Sequence, residues 1–531
     1  METETLIRTL LSNRGLHTPG EISQFFNPPR PESFSADDFG LKEATLRKAA
    51  DMIRAHIAKK HPIAVYGDYD VDGICSTAIL WETIHSLHPD VFPYIPHRRE
   101  EGYGLSVSGI DTCLKRGAKL IIALDCGITA RSAVSYARRS GCDIIIIDHH
   151  KKEGNLPRAS CLIHSKSSCT AGLTWLFSRQ LARPELSQDH LSLAAMAVIC
   201  DMIPLTGINR GLVKHGLMQL NTTTRPGLLA LFEAAGIQPG QLGTYEIGFI
   251  IGPRLNAMGR LEHALDSLRL LCGRSLEKTR SLAMTLEQTN RSRQELTESS
   301  FTHALQYVSE KYGHKLPRLL VVADSSYDEG VIGLIASRLT DKFSRPSLVF
   351  SLGESSSKAS ARSVSGVDIT NLLRTGVRFL KNVGGHSMAA GLTVDTDKVQ
   401  PFITFLQKSA ARHIPEKLLI KKHHIDARIP LEIVSPDLHS RIMEFAPFGI
   451  GNPQPVFSSS PVPLTNIRRM GKQNRHLRYQ AGIFPAVHFN YSGPEISSDT
   501  VASLIYRIEL NTWNNRTSLQ LNVRDLELVQ T

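Results

Sequence analysis

The pattern of apolar and polar positions changes character along the chain. Residues 1 to about 40 read as a helical preamble that ends in a proline-rich turn, Asn27-Pro28-Pro29 followed by Pro31. Short continuous apolar runs then alternate with helical stretches. PIAVYGDYD (62–70) ends in carboxylates, Ile74–His88 has helical spacing, and Val91–Pro96 is a second strand. LIIALD (120–125) and IIIID (144–148) are two more. Such β-rich runs alternating with helices predict a parallel sheet covered on both faces.

Residues 262–315 read as helix, with Leu276, Leu282, Leu286 and Leu296 separated by charge and no proline until Pro317. This predicts a long connector. A second βαβ unit begins at Leu319 with LLVVAD, continues through the helix GVIGLIASRLTDKF and returns in the strand SLVFS. Beyond about residue 417, short alternating strands with Pro, Gly and Asn turns predict a small antiparallel barrel. The expected fold class is therefore α/β with an appended β-barrel. Its expected segments are 1–45, 46–261, 262–315, 316–416 and 417–531.

At about 150 residues per domain, 531 residues suggest three or four domains. A hydrophobic fraction of 41% and a charged fraction of 21% exclude fibrous, collagen-like and wholly disordered chains. Apolar stretches such as Leu193–Cys200 fall far short of the ~20 residues of a spanning helix. The opening METETLIRTLL has two glutamates and no basic start, so no secretory signal is expected. A soluble, cytoplasmic protein with no membrane partner is expected. Lys plus Arg is 61 against 50 for Asp plus Glu, a net charge of +11, which favours a polyanionic partner, usually nucleic acid. The eight cysteines contain no C-x-x-C, which fits reduced thiols and neither a disulfide framework nor a zinc knuckle.

The chemistry concentrates at what read as four strand ends. These are Asp68, Asp70 and Asp72 in GDYDVDG, Asp125 in ALDCG, Asp148, His149 and His150 in IDHH, and Asp201 in ICDMIPL. Ligands of an open parallel sheet bind beyond the carboxyl ends of its strands. Carboxylates packed together repel unless cations neutralise them, and hard oxygens with an imidazole suit Mn²⁺ or Mg²⁺ better than zinc. Two such ions about 4 Å apart are a usual device for phosphodiester hydrolysis. An EF-hand reading of D-x-D-x-D-G fails because its twelfth position is Ile79. The bland alternative is that each acid caps the helix that follows it.

GDYDVDG, LDCG, DHH and CDMIPL, in this order, resemble the DHH phosphoesterase superfamily. The longer match resembles the RecJ-type single-stranded-DNA exonucleases. It includes IPHRREEGYGL (95–105), IGPRLNAMGRL (251–261), EGVIGLIASRL (329–339), SARS (360–363), GGHSMAAG (384–391) and PFGIGNPQPVF (447–457), with LLSNRG and FFNPP near the start. The resemblance implies a parallel-sheet DHH domain, a long helix, a smaller α/β DHH-associated domain and an OB fold. It implies a metal-dependent exonuclease that degrades single-stranded DNA from the 5′ end to mononucleotides in repair and recombination. Single-strand-binding protein and a helicase are its implied partners, and a monomer is expected. Shorter relatives hydrolyse oligonucleotides or 3′-phosphoadenosine 5′-phosphate, but they generally lack an OB module. The intact acids argue against a catalytically inactive DNA-binding relative.

By position in the resemblance, Asp70, Asp72, Asp125, His149 and Asp201 hold two Mn²⁺ or Mg²⁺ ions, with Asp68 and His150 beside them as ligands or close support. His386 contacts the scissile phosphate, and Gly384 and Gly385 let the backbone approach it. A Gly-rich helix start with a buried histidine is the alternative for this motif. Arg98, Arg254 and Arg362 are candidates for phosphate contacts, with Ser360 beside Arg362. The resemblance makes Arg98 and Arg362 candidates for a 5′-phosphate pocket. Two positions depart from the related pattern: Cys126 stands for an asparagine, and Tyr327-Asp328 for Trp-His.

The densest basic run is Arg468, Arg469, Lys472, Arg475 and Arg478, with no acid among them. MGKQN reads as a hairpin turn, so these charges would line two paired strands. Tyr479 and Phe484 stand nearby as candidate stacking aromatics. A basic groove with an aromatic platform is how OB folds hold single strands. A solvated hairpin is the alternative.

Overall fold

A computed structural model describes residues 3–98, 101–102, 104–152, 154–313, 315–471, 474–497, 500–513 and 516–529. The chain divides into two compact units. One comprises Met1–Gly252, Leu271–Arg274 and His423–Thr531, and the other Pro253–Leu270 and Ser275–Lys422.

The first unit is built on a five-stranded parallel sheet: β1 (Ile63–Tyr66), β2 (Val91–Tyr94), β3 (Leu120–Leu124), β4 (Asp143–Asp148) and β5 (Cys161–His164). Its order is β2-β1-β3-β4-β5, and every neighbouring pair runs parallel. The central strands are buried along their length, as IAVY, LIIAL and IIII require. The strand order reverses beside β1, which opens a crevice at the carboxyl ends of β1 and β3.

The same unit carries the barrel. The second unit's strands come first in the chain: β6 (Leu320–Asp324), β7 (Ser347–Ser351), β8 (Ser356–Arg362), β9 (Leu380–His386) and β10 (Ala389–Asp395). The barrel strands follow as β11 (Ala427–Arg428), β12 (Phe457–Ser458), β13 (Val462–Met470), β14 (His476–Ala481), β15 (Phe484–His488), β16 (Val501–Trp513) and β17 (Arg516–Leu528). Strands β16-β13-β14-β15-β17 pair in that order, and β17 returns to β16, closing the barrel. The pairing is antiparallel except that β15 runs parallel to β17 and β11 parallel to β12, so the barrel is not wholly antiparallel as expected. Leu6, Ile7, Leu10, Leu11 and Phe25 of the preamble share one core with the barrel residues Leu464, Tyr479, Phe484 and Leu521.

In the second unit the sheet order is β6-β7-β8-β10-β9, with only β6 and β7 parallel. The helix Ile332–Phe343 joins those two strands, as the βαβ pattern predicts. The connector is shorter than the expected 262–315. A helix at Leu265–Cys272 ends before Gly273, and the 37-residue helix Leu276–Tyr312 starts afresh with Ser275 as its cap. The expected boundary at residue 45 also falls inside a helix, Glu43–Ala58. Among the described residues, no helix is long and apolar enough to cross a membrane.

Candidate metal centre and nucleic-acid interface

GDYDVDG leaves β1 and turns at once into the helix Val71–His85. Asp70 caps that helix, its Oδ1 accepting from the N–H groups of Asp72 (3.0 Å) and Gly73 (3.1 Å). The capping alternative is thus correct for Asp70, and it does not remove the residue from the crevice. Gly73 is needed here because a Cβ would lie 2.5 Å from the carbonyl oxygen of Asp68. Asp72 is held by another helix start: its two carboxylate oxygens accept from the N–H groups of Thr170 (2.8 Å) and Ala171 (2.7 Å).

Asp125 follows β3 in a left-handed conformation, φ 61°. Its Oδ1 accepts from the hydroxyl of Thr170 at 2.9 Å. The Nε2 of His149, just after β4, lies 3.4 Å from Asp125, 3.5 Å from Asp201 and 3.7 Å from Asp72. Asp148 orients the next histidine: its Oδ1 lies 2.8 Å from His150 Nδ1, and its Oδ2 accepts from the Ile128 N–H at 3.0 Å. Asp201 does not end a strand. It caps the carboxyl end of the helix Pro184–Cys200, whose apolar run LAAMAV is buried on every side.

All seven proposed ligand and supporting residues of the first unit therefore meet. Their donor atoms form three overlapping clusters, Asp68-Asp70-Asp125, Asp72-His149-Asp201 and Asp125-His149-His150, each within 4.8 Å. The electrostatics ask for a cation. Burial and then mutual repulsion push the Asp68, Asp70 and Asp125 carboxyls above their usual range, and Asp201 up to about 9. Burial lowers His149, which keeps its imidazole neutral and fit to be a ligand. His150 is raised: burial opposes the shift, but the bond to Asp148 outweighs it. Asp68 Oδ1 is buried and meets no hydrogen-bond donor among the described residues. Hard oxygens, one or two imidazoles and an orphaned acceptor fit Mn²⁺ or Mg²⁺.

The chain carries three matched domains. Residues 62–198 match the DHH family N-terminal domain, 317–412 the DHHA1 domain and 425–525 the RecJ OB domain. The single-stranded-DNA-specific exonuclease RecJ of Bacillus subtilis is 31% identical over 98% of this chain and 67% of its own length. The chain belongs to the RecJ family. The Thermus thermophilus RecJ is 30% identical over 91% of this chain and 71% of its own. The crystal structure of Thermus thermophilus RecJ in complex with Mn²⁺ superposes with a TM-score of 0.84 at 25% identity, covering 99% of this chain and 76% of that one. A second RecJ-family crystal structure, an exonuclease RecJ bound to manganese, gives 0.61 at 31% identity, covering 69% of this chain and 94% of that one.

The remaining candidates fall in several places. Arg98 belongs to the first unit, with its guanidinium 4.9 Å from the Tyr69 ring centroid. Its charge is one of the influences that lower Asp68 against the larger effect of burial. In the second unit Arg362 Nη1 donates to Ser360 Oγ (3.0 Å) and to the Ala361 carbonyl (2.9 Å). Both side chains flank the start of the helix Ile332–Phe343: a Cβ on Gly333 would lie 3.0 Å from Arg362 Nη2 and 3.1 Å from Ser360 Oγ. Arg254 is ion-paired with Glu287 at 2.7 Å, in the same second unit.

GGHSMAAG is a strand turn and not a helix start. Gly384, Gly385 and His386 close β9, and Ala389 begins β10 opposite His386. His386 is exposed. Gly385 has φ 141°, and a Cβ there would meet the Ala389 carbonyl at 2.3 Å, so tight strand packing explains this glycine. Gly384 faces open space, which leaves its backbone approachable. Asp328 makes a turn of its own by accepting from the Gly330 N–H at 2.7 Å. Cys126 is buried among apolar side chains, and burial pushes its thiol well above the usual value.

In the barrel, Arg468, Arg469, Arg475 and Arg478 are exposed on the β13–β14 hairpin, and Lys472 lies outside the described residues. Tyr479 and Phe484 are corrected: both lie in the barrel core and present no stacking face. The alternation of β14 accounts for Tyr479, since Arg478 points out and Tyr479 therefore points in, and Phe484 enters the core at the start of β15. Thr170 and Ala171 were not anticipated from the sequence as supports of the acid cluster, whereas Asp148, expected in the crevice, serves there by orienting His150. A threonine at a helix start after the Ser-rich HSKSSC was the available signal for the first.

Proposed function

We propose that this RecJ-family chain is a metal-dependent, single-stranded-DNA-specific exonuclease that works from the 5′ end and releases 5′-mononucleotides. The observation that carries this reading is the convergence of Asp68, Asp70, Asp72, Asp125, Asp201 and the two histidines at the sheet's switch point. Asp70, Asp72, Asp125, His149 and Asp201 would hold two Mn²⁺ or Mg²⁺ ions, with Asp68 and His150 in support. When bound, the ions supply Lewis acidity to the phosphoryl group and the attacking water, and they neutralise the carboxylates.

The protein's own part is preorganisation. The paired N–H groups of Thr170 and Ala171 fix the Asp72 carboxylate, and the Thr170 hydroxyl fixes Asp125. Asp148 holds His150 Nδ1 and so fixes the orientation of the ring. These bonds hold the donors in place before substrate arrives, so little reorganisation is needed during reaction.

The 5′ polarity rests on the family resemblance and on the anion-binding character of two places. Arg362 and Ser360 stand at a helix start, where N–H groups and the dipole favour a phosphate. Arg98 supplies a second guanidinium in the first unit. His386 is assigned to the scissile phosphate, and the β13–β14 arginines to the strand. Action in the cytoplasm during repair and recombination, as a monomer meeting single-strand-binding protein and a helicase, completes the proposal.

The deciding experiment is digestion of 5′- and 3′-labelled single- and double-stranded DNA with Mn²⁺, Mg²⁺ or EDTA. Single strands should shorten from the 5′ end in either metal, EDTA should stop the reaction, and blunt duplex should resist. Degradation of 5′-blocked DNA with survival of 3′-blocked DNA would overturn the polarity.

A further inference from the structure

Among the described residues, the phenylalanine and tyrosine rings more than a third exposed are Tyr245 (62%), Phe249 (72%) and Phe489 (50%). The first two are one turn apart and stacked, with centroids 5.2 Å apart and planes at 25°. Single exposed apolar side chains are ordinary, but a contiguous exposed pair marks a contact surface.

The segment beneath the pair is closely packed. Glu246–Ile251 is wound as a π-helix, a geometry that recurs at functional sites. Gly252 packs so tightly that a Cβ would lie 2.5 Å from Cys200 Sγ, and a Cβ on Gly248 would lie 3.6 Å from Ile199 Cγ2. Cys200 Sγ also contacts the Ile247 carbonyl at 3.8 Å. Thr244 Oγ1 donates to the Phe448 carbonyl at 2.7 Å and secures the turn before it. The helix that carries the rings thus rests directly on Ile199 and Cys200, the two residues before Asp201. Met202, on the other side of Asp201, is itself 65% exposed.

We infer that the Tyr245–Phe249 stack is a base-stacking platform that positions single-stranded DNA beside the acid cluster. The inference rests on the nuclease reading above. The occupant follows from the neighbourhood: a strand whose phosphodiester reaches Asp201 must place bases a few ångströms away, and flat aromatic faces accept any base without sequence preference. The barrel's Tyr479 and Phe484 cannot take this role, because both are in its core.

The test uses full-length protein, Mn²⁺ and oligonucleotides of mixed sequence. Steady-state kinetics compare the wild type with Tyr245→Leu/Phe249→Leu, which keeps apolar bulk and removes the π faces, and with Tyr245→Phe/Phe249→Tyr, which keeps them. The leucine variant should raise KM for single strands about tenfold, with a much smaller change in kcat, and the aromatic swap should restore KM. In an Asp125→Ala background that holds DNA uncut, 2-aminopurine walked along the strand should be quenched at one or two positions, and the leucine pair should abolish that quenching. A wild-type KM in the leucine variant, or an equal KM rise in both double variants, overturns the platform. A wild type that degrades no single-stranded DNA overturns the nuclease reading instead.

Discussion

His149 and Asp125 leave neighbouring parallel strands and bring an imidazole Nε2 to 3.4 Å from a carboxylate oxygen. These two residues are where the three ligand clusters overlap, and the Thr170 hydroxyl donates to the same Asp125 oxygen. Removing either residue therefore breaks a shared corner of the centre. Asp125→Ala and His149→Ala should each abolish cleavage while leaving single-strand binding largely intact. Turnover in Mn²⁺ and binding by fluorescence anisotropy check this separately. Wild-type turnover in either variant would sink the assignment.

A different kind of residue ties the first unit together. Arg210 is 1% exposed and has no carboxylate partner among the described residues; it donates to backbone carbonyls instead. Its Nε reaches the Phe25 carbonyl at 2.6 Å, and Nη2 reaches those of Phe445 (3.1 Å) and Ala446 (2.8 Å). Its guanidinium also lies 3.8 Å from the Phe25 ring centroid. One planar fork thus joins the preamble and the segment leading to the barrel. Arg210→Met should destabilise the unit by about 2–4 kcal/mol, because the Phe25 and Ala446 carbonyls lose this donor while that of Phe445 keeps the Asn452 amide. Arg210→Lys should recover little, since an ammonium lacks the fork. Urea unfolding of both variants measures this, and a loss below about 1 kcal/mol for Arg210→Met would refute the tie.

Much of the metal centre was legible because its acids follow continuous β-rich runs. IAVY, LIIAL and IIII can bury both faces only as central parallel strands, so the residues after them must gather at one edge. Asp201 was legible as a site residue and not as a helix end. The run before it is buried all round, and in such a run periodicity does not separate helix from strand. The strand β5, CLIH, is half-buried in alternation and carries no continuous β-rich run to mark it. Tyr479 and Phe484 were misread because aromatic content was weighed without the strand's alternation. Thr170 was legible at most as a helix start, and not its partners, which lie 45 and 98 residues away in sequence.

Glu82 makes stability depend on pH in a definite direction. Burial works to raise its carboxyl, but the hydrogen bond from His190 and the charge of Arg225 overcome this and hold it down at about 2. Arg225 contacts it through both terminal nitrogens, at 2.8 and 2.9 Å, and also pairs with Asp189. A folded value below the unfolded one means that the stabilisation is present at pH values above about 4.5 and is lost as pH falls towards 2. Glu82→Gln should therefore cost several kcal/mol at pH 7, with the buried Arg225 left to the half-exposed Asp189 as its carboxylate partner. The gap from wild type should shrink through the pH 4.5–2 interval. Unfolding measured across that interval checks it, and a gap that stays constant would contradict the assigned pairing.

The barrel hairpin separates grip from chemistry. Arg468 on β13 stands directly opposite Arg478 on β14, with Arg469 and Arg475 also exposed. Like charges face to face across paired strands destabilise a hairpin, and a polyanion lying over them would reverse that effect. If three or four of these arginines touch phosphates, each contributes about 0.7 to the salt slope of single-strand binding. Replacing all four by Gln should then lower the slope by about 2–3. The ratio of long-strand turnover to dinucleotide turnover should fall steeply, most at moderate salt, because a dinucleotide is too short to reach from the acid cluster into the barrel's basic face. Equal losses on both substrates would assign the arginines to folding or chemistry. An unchanged salt slope would return them to a solvated hairpin and leave strand capture to other surfaces.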